Sequence, residues 1–124
     1  MEKALIVDDS RAIRRILGAT VKNLGFEVCE AGNGKQAVEA LEKEGDSVQL
    51  MLVDWNMPEM NGLEFVTHVR SQDKFKSAKV MMVTTETAAD QMIRALEAGA
   101  DEYIMKPFTE DAIRDKLRLM GVIS

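Results

Sequence analysis

Five short apolar runs alternate with amphipathic segments, and that alternation constrains the chain more than any other feature. The runs are Ala4–Val7, Phe26–Ala31, Leu50–Val53, Lys79–Thr84 and Glu102–Met105. Their length and their Val, Ile, Leu and Met content suit strands buried on both faces. The segments between them repeat apolar residues at steps of three or four, which makes one helical face. The first shows Ile13, Ile16, Leu17, Val21 and Leu24, with Ser10 as N-cap and Gly25 where a left-handed residue would end the helix. The second opens Asn33-Gly34-Lys35-Gln36 and carries Ala37, Val38 and Leu41. The third follows Asn61-Gly62 with Leu63, Val66 and Val69. The fourth has Met92, Ile93 and Leu96 before Gly99, and the fifth follows Thr109 with Ile113, Leu117 and Met120. Strand-then-helix units in succession predict an α/β fold, a single five-stranded parallel sheet with helices on both faces and right-handed crossovers. With 124 residues and no linker, repeat or low-complexity stretch, one domain over 1–124 is expected.

Composition removes several function classes. Cys29 is the single cysteine and His68 the single histidine, so an internal disulfide and a Cys/His zinc centre are both excluded. The apolar run at the N-terminus is too short for a signal peptide, and no stretch approaches the roughly 18 residues of a membrane span. A net charge of −5 with few aromatics makes nucleic acid a poor partner. A reduced, cytoplasmic protein without membrane insertion is the expectation.

Ligands of such sheets bind beyond the carboxyl ends of the strands. Four of those ends carry chemistry: Asp8-Asp9, Asp54, Thr84-Thr85 and Lys106-Pro107. The second strand ends blandly in Gly32-Asn33. Three carboxylates, a hydroxyl and an ammonium therefore meet on one rim. Crowded like charges raise a carboxyl pKa unless a cation intervenes, and an all-oxygen set favours Mg²⁺ or Mn²⁺. Asp54, alone on the strand nearest the centre, is the candidate nucleophile toward phosphorus. Lys106 would neutralise a phosphoryl oxygen and Thr84 would hydrogen-bond another. Each residue alone has an ordinary explanation: Asp8-Asp9 favour a helix N-terminus, Asp54 starts a turn, Lys106 is a surface cation. Their coincidence on four strand ends does not.

Val7-Asp8-Asp9-Ser10, Asp54-Trp55-Asn56-Met57-Pro58-Glu59-Met60-Asn61-Gly62, Thr84 and Lys106-Pro107-Phe108 together resemble a response-regulator receiver domain over essentially the whole chain. The resemblance implies strand order 2-1-3-4-5. It implies phosphorylation on Asp54, with Mg²⁺ held by Asp9, Asp54 and the backbone carbonyl of Asn56, and by Asp8 through water. It implies a cis Lys106–Pro107 bond, and a switch in which Thr84 moves toward the phosphoryl group as Tyr103 turns inward. Asn56 and Glu86 would flank the hydrolytic water and tune dephosphorylation. Thr85 departs from the smaller residue usual there. The chain would not be an enzyme but a switch catalysing its own phosphorylation and dephosphorylation. The stretch around Trp55 is most similar to the motility receivers. Implied partners are a CheA-like sensor histidine kinase, a downstream protein such as the flagellar motor switch, and a phosphatase, with the receiver a monomer.

Other readings compete. A Mg²⁺-dependent phosphatase usually carries Asp-x-Asp after the first strand, and here the pair is adjacent. A flavodoxin-like carrier needs a Ser-, Thr- and Gly-rich phosphate loop where Asp8-Asp9 stand. A P-loop nucleotidase lacks its Gly-rich Lys motif. A receiver serving as phosphate sink or relay in another pathway stays open. His68 reads as a partly exposed helix residue, Cys29 as a buried small hydrophobe, and Met81, Met82, Met105, Met92 and Met120 as core filling.

Overall fold

The computed structural model describes residues 2–57, 60–85 and 89–123. Its strands are β1 (Lys3–Val7), β2 (Glu27–Ala31), β3 (Val48–Asp54), β4 (Lys79–Thr84) and β5 (Glu102–Met105). Its helices are α1 (Arg11–Asn23), α2 (Gly34–Glu44), α3 (Gly62–Arg70), α4 (Ala89–Ala98) and α5 (Glu110–Leu119). All strand pairs are parallel, in the order β2-β1-β3-β4-β5. The expected architecture and strand order both hold. Among the described residues no helix is long and apolar enough to cross a membrane.

Side chains alternate between two faces along each strand. Leu5, Val7, Met51, Val53, Val80 and Met82 join Phe65, Val69 and Phe75 in one core cluster. Ala4, Ile6, Leu50, Leu52, Met81 and Val83 join Leu17, Val21, Ile113 and Leu117 in the other. Continuous apolar runs are thus explained: both sides of β1, β3 and β4 are covered.

The helix ends follow their sequence signals. Ser10, Asn33, Asn61 and Thr109 each accept a backbone N–H three residues on. At α3 the bond is reciprocal, because Glu64 Oε1 accepts from Asn61 N at 3.2 Å. At α2 it is not: Gln36 Oε1 takes the N–H of Gly32 at 2.8 Å instead. Gly25 and Gly99 follow their helices at positive φ, 99° and 116°.

The structure departs from the periodicity in instructive places. β2 starts at Glu27, after the buried Phe26, and β3 runs from Val48 through Asp54. Ile16, Ile93, Leu96 and Met105 were expected on core faces but are 49, 54, 49 and 45% exposed. On α4 it is Ala95 that meets the core, so the larger residues beside it face outward. Met105 ends an edge strand that only partly covers it. Cys29 is half-buried because β2 is the other edge.

Arg70 escaped the sequence reading altogether. From the end of α3 it donates to Gly99 O (2.8 Å), Phe75 O (2.9 Å) and Asp101 Oδ2 (2.8 Å). The same Asp101 oxygen accepts Val80 N at 2.8 Å. One guanidinium thereby ties α3, α4 and the start of β4 together. Arg70→Ala is expected to lower stability in urea melts by about 2–3 kcal/mol, since several acceptors lose a charged donor. Arg70→Lys is expected to recover little, because one ammonium cannot reproduce the planar fork.

Candidate functional site

Register brings the rim together. Val7 pairs with Val53, and Asp54 pairs with Val83, so Asp8 and Asp54 emerge side by side. Thr84 pairs with Met105, and Lys106 follows one residue later. Lys106 N donates to Thr84 O at 2.8 Å, and the Lys106–Pro107 bond is cis, as the resemblance implied.

Asp8, Asp9 and Asp54 each offer a carboxylate oxygen, and these lie within 4.8 Å of one another. Asp8 is buried and hydrogen-bonded at both oxygens: Oδ1 accepts from Ser10 N at 2.8 Å and Oδ2 from Lys106 Nζ at 2.8 Å. Asp9 is exposed. Asp54 is only 6% exposed, and its Oδ1 lies 3.4 Å from Lys106 Nζ. Burial first, then the neighbouring Asp8 charge, pushes the Asp54 carboxyl from 3.8 up to about 6, against the opposing pull of Lys106. Burial would lower the Lys106 ammonium, but the Asp8 hydrogen bond and the Asp54 and Asp8 charges outweigh it and hold it above 10.5.

Such a set fits a hard divalent cation. The donors are oxygens, Asp9 is open to solvent, and a cation would relieve the repulsion that raises Asp54. It also leaves Asp54 ionised at neutral pH beside an ammonium, the arrangement a carboxylate needs to attack a phosphoryl group.

Thr84 is wholly buried at the end of β4. Tyr103, expected to turn inward in the switch, is here 6% exposed and packed in the core cluster that holds Met82. Asn56 is exposed two residues beyond Asp54. Glu86, the other residue expected to tune dephosphorylation, lies outside the described residues, as do Pro58 and Glu59 of the Asp54 motif. His68 is half-buried with Nε2 2.9 Å from Gln72 Nε2, away from the rim on α3.

Two supporting residues were missed. Arg14 donates through Nη1 to Asp8 O and through Nε to Glu30 Oε1 at 3.1 Å, bracing the turn that carries Asp8 and Asp9. Its place four residues after the Ser10 cap was the available signal. Gly62, the first residue of α3, donates to Trp55 O at 2.9 Å. A Cβ there would overlap the carbonyl oxygen of Asp54 and sit 2.9 Å from Met82 Cε. Gly62→Ala is therefore expected to cost about 1–3 kcal/mol in denaturant melts and to disturb the backbone that carries Asp54.

The chain belongs to the response regulator receiver domain family, which it matches over residues 4–118. Receivers of this family are signalling switches phosphorylated on aspartate. Within it the chain is homologous to the CheY proteins. It is 45% identical over 119 residues to chemotaxis protein CheY1 of Helicobacter pylori, covering 95% of each chain. It is 47% identical over 116 residues to a chemotaxis protein CheY homolog of Campylobacter jejuni, covering 93% of this chain and 88% of that one. The solved structure of Vibrio cholerae chemotaxis protein CheY4 superposes with a TM-score of 0.88 at 34% identity, covering 97% of this chain and 98% of that one.

Proposed function

We propose that this chain is a chemotaxis receiver that takes a phosphoryl group from the phosphohistidine of a CheA-like sensor kinase onto Asp54. The observation that carries the reading is the Asp54 carboxylate at the end of the central strand, clustered with Asp8 and Asp9 and 3.4 Å from Lys106 Nζ. An Asp54 oxygen attacks phosphorus, the phosphorus–nitrogen bond breaks, and the imidazole leaves with the bonding pair. Lys106 meets the phosphoryl charge. Mg²⁺, when bound, neutralises phosphoryl and carboxylate charge. Asp9, Asp54 and the Asn56 carbonyl would hold it. Asp8, with both oxygens already engaged, would act through water.

Phosphorylation adds about −1.5 to −2 charge and strong acceptors at this rim. Thr84 and Tyr103 respond, and a partner that prefers the altered surface shifts the population further. Asn56 and Glu86 set the lifetime of the phosphoaspartate. The exposed Ile93, Leu96 and Met105 on α4 and β5 favour a protein output, the flagellar motor switch, over a phosphate sink. A phosphatase resets the signal. The protein works in the cytoplasm as a monomeric, self-modifying switch, not as a phosphatase acting on other substrates.

Trp55, 8% exposed and next to Asp54, is the built-in reporter. Its fluorescence should change on adding Mg²⁺, and again on adding acetyl phosphate or beryllofluoride. Asp54→Asn should lose the second response. A wild-type protein that responds to neither addition, with no Mg²⁺ binding by calorimetry, would leave the rim a passive acidic surface.

A further inference from the structure

Beside the acidic rim lies a basic hollow that the phosphorylation site does not use. A cavity of about 370 Å³ opens between α1, the end of β2 and the start of α2. Its cationic wall is Arg11, Arg14 and Arg15, with Glu30 the one acidic residue. That sign is opposite to the net charge of the chain, −5. Arg14 is already committed to Glu30 and to Asp8 O. Arg11 and Arg15 are exposed, one helical turn apart, and make no hydrogen bond or ion pair among the described residues. Across the cavity, Gln36 Oε1 is held by Gly32 N at 2.8 Å. The amide is thereby anchored, and its two Nε2 hydrogens remain as donors. The positive end of α2 adjoins the same wall, because the helix begins at Gly34.

Two unpaired guanidiniums, an anchored amide and a helix N-terminus around one cavity match an oxyanion with several acceptor oxygens. Guanidinium forks pair bidentately with phosphate. The volume exceeds what one phosphate fills and leaves room for an attached organic group. We propose that this hollow is a second anion site, which binds a phosphate-bearing small molecule through Arg11, Arg15 and Gln36. It stands apart from the Asp54 reading, since none of its donors is a residue of the acidic rim. Arg14 is the physical link between the two, touching the cavity and the Asp8 carbonyl together.

The test is a titration of the full chain, freed of divalent metal, with pyrophosphate at constant ionic strength, followed by backbone amide NMR. Saturable shifts at Arg11, Arg15, Gly32 and Gln36 are expected. Arg11→Ala/Arg15→Ala should weaken binding at least ten-fold, while Asp54→Asn and the distant Arg94→Ala should leave it unchanged. Both arginines are exposed, so a thermal melt of the double variant should match the parent. Parallel titrations with adenosine diphosphate and acetyl phosphate identify the source: tighter binding of the former assigns a nucleotide, equal binding assigns recognition of the phosphate alone. Shifts centred on Asp9, Asp54 and Lys106 would overturn the proposal, as would non-saturating shifts or an equal loss in Arg94→Ala. Loss of phosphorylation in Asp54→Asn with pyrophosphate binding intact keeps this result separate from the receiver reading.

Discussion

Asp54→Asn should raise the stability of the metal-free protein at pH 7 by about 2 kcal/mol, although it removes the proposed phosphoacceptor. The native carboxyl titrates near 6, above the ordinary 3.8. The folded state therefore holds this proton more tightly than the unfolded state. Its contribution is fully present below about pH 4 and is lost as pH rises through 6. Two pKa units correspond to about 3 kcal/mol. The attraction to Lys106 is already contained in that net shift; asparagine keeps the shape and sheds the charge, and burying its amide hydrogens trims the gain. Urea melts of both proteins between pH 4 and pH 8 check this. The curves should meet at the acidic end and separate toward neutrality. Saturating Mg²⁺ should close the gap, because the cation offsets the repulsion that asparagine removes. Curves that stay parallel over the whole range would mean that Asp54 is not electrostatically strained.

Lys106→Ala carries the other large effect. Its ammonium bridges Asp8 at 2.8 Å and Asp54 at 3.4 Å. Removing a preorganised cation from where charge develops costs about 100- to 1,000-fold in rate. Phosphoryl incorporation from acetyl phosphate should fall by that factor, while Mg²⁺ still binds, since the carboxylates remain. The Asp54 carboxyl should also titrate higher than about 6, because the Lys106 charge now opposes its shift. Lys106→Arg should restore charge without full rate. A rate within a few-fold of the parent would place Lys106 outside the reaction.

Much of this was legible before any coordinates. Strand ends could be read because β1, β3 and β4 are apolar on both faces, so their polar successors stand out. The caps Ser10 and Asn33 could be read because they act on their own helices, within three residues. Arg70 and Gly62 could not, because their partners are distant in sequence or lie in backbone atoms that carry no residue signature. The outward faces of Ile93 and Leu96 were hidden for a related reason. Helical periodicity marks a stripe, but which edge of it meets the sheet depends on how α4 docks, and Ala95 decides that. Tyr103 shows the same limit on β5, where alternation does not reveal that the ring lies within the core.

The most direct test of the central claim is to map the phosphoryl group itself. The protein would be treated with acetyl phosphate and Mg²⁺, the acyl phosphate trapped by borohydride reduction, and the site located by tandem mass spectrometry. Reduction at Asp54 alone, dependent on Mg²⁺ and absent from Asp54→Asn, is the predicted result. Modification at Asp8 or Asp9 in the parent protein, or none in the presence of Mg²⁺, would contradict the assignment of Asp54 as phosphoacceptor.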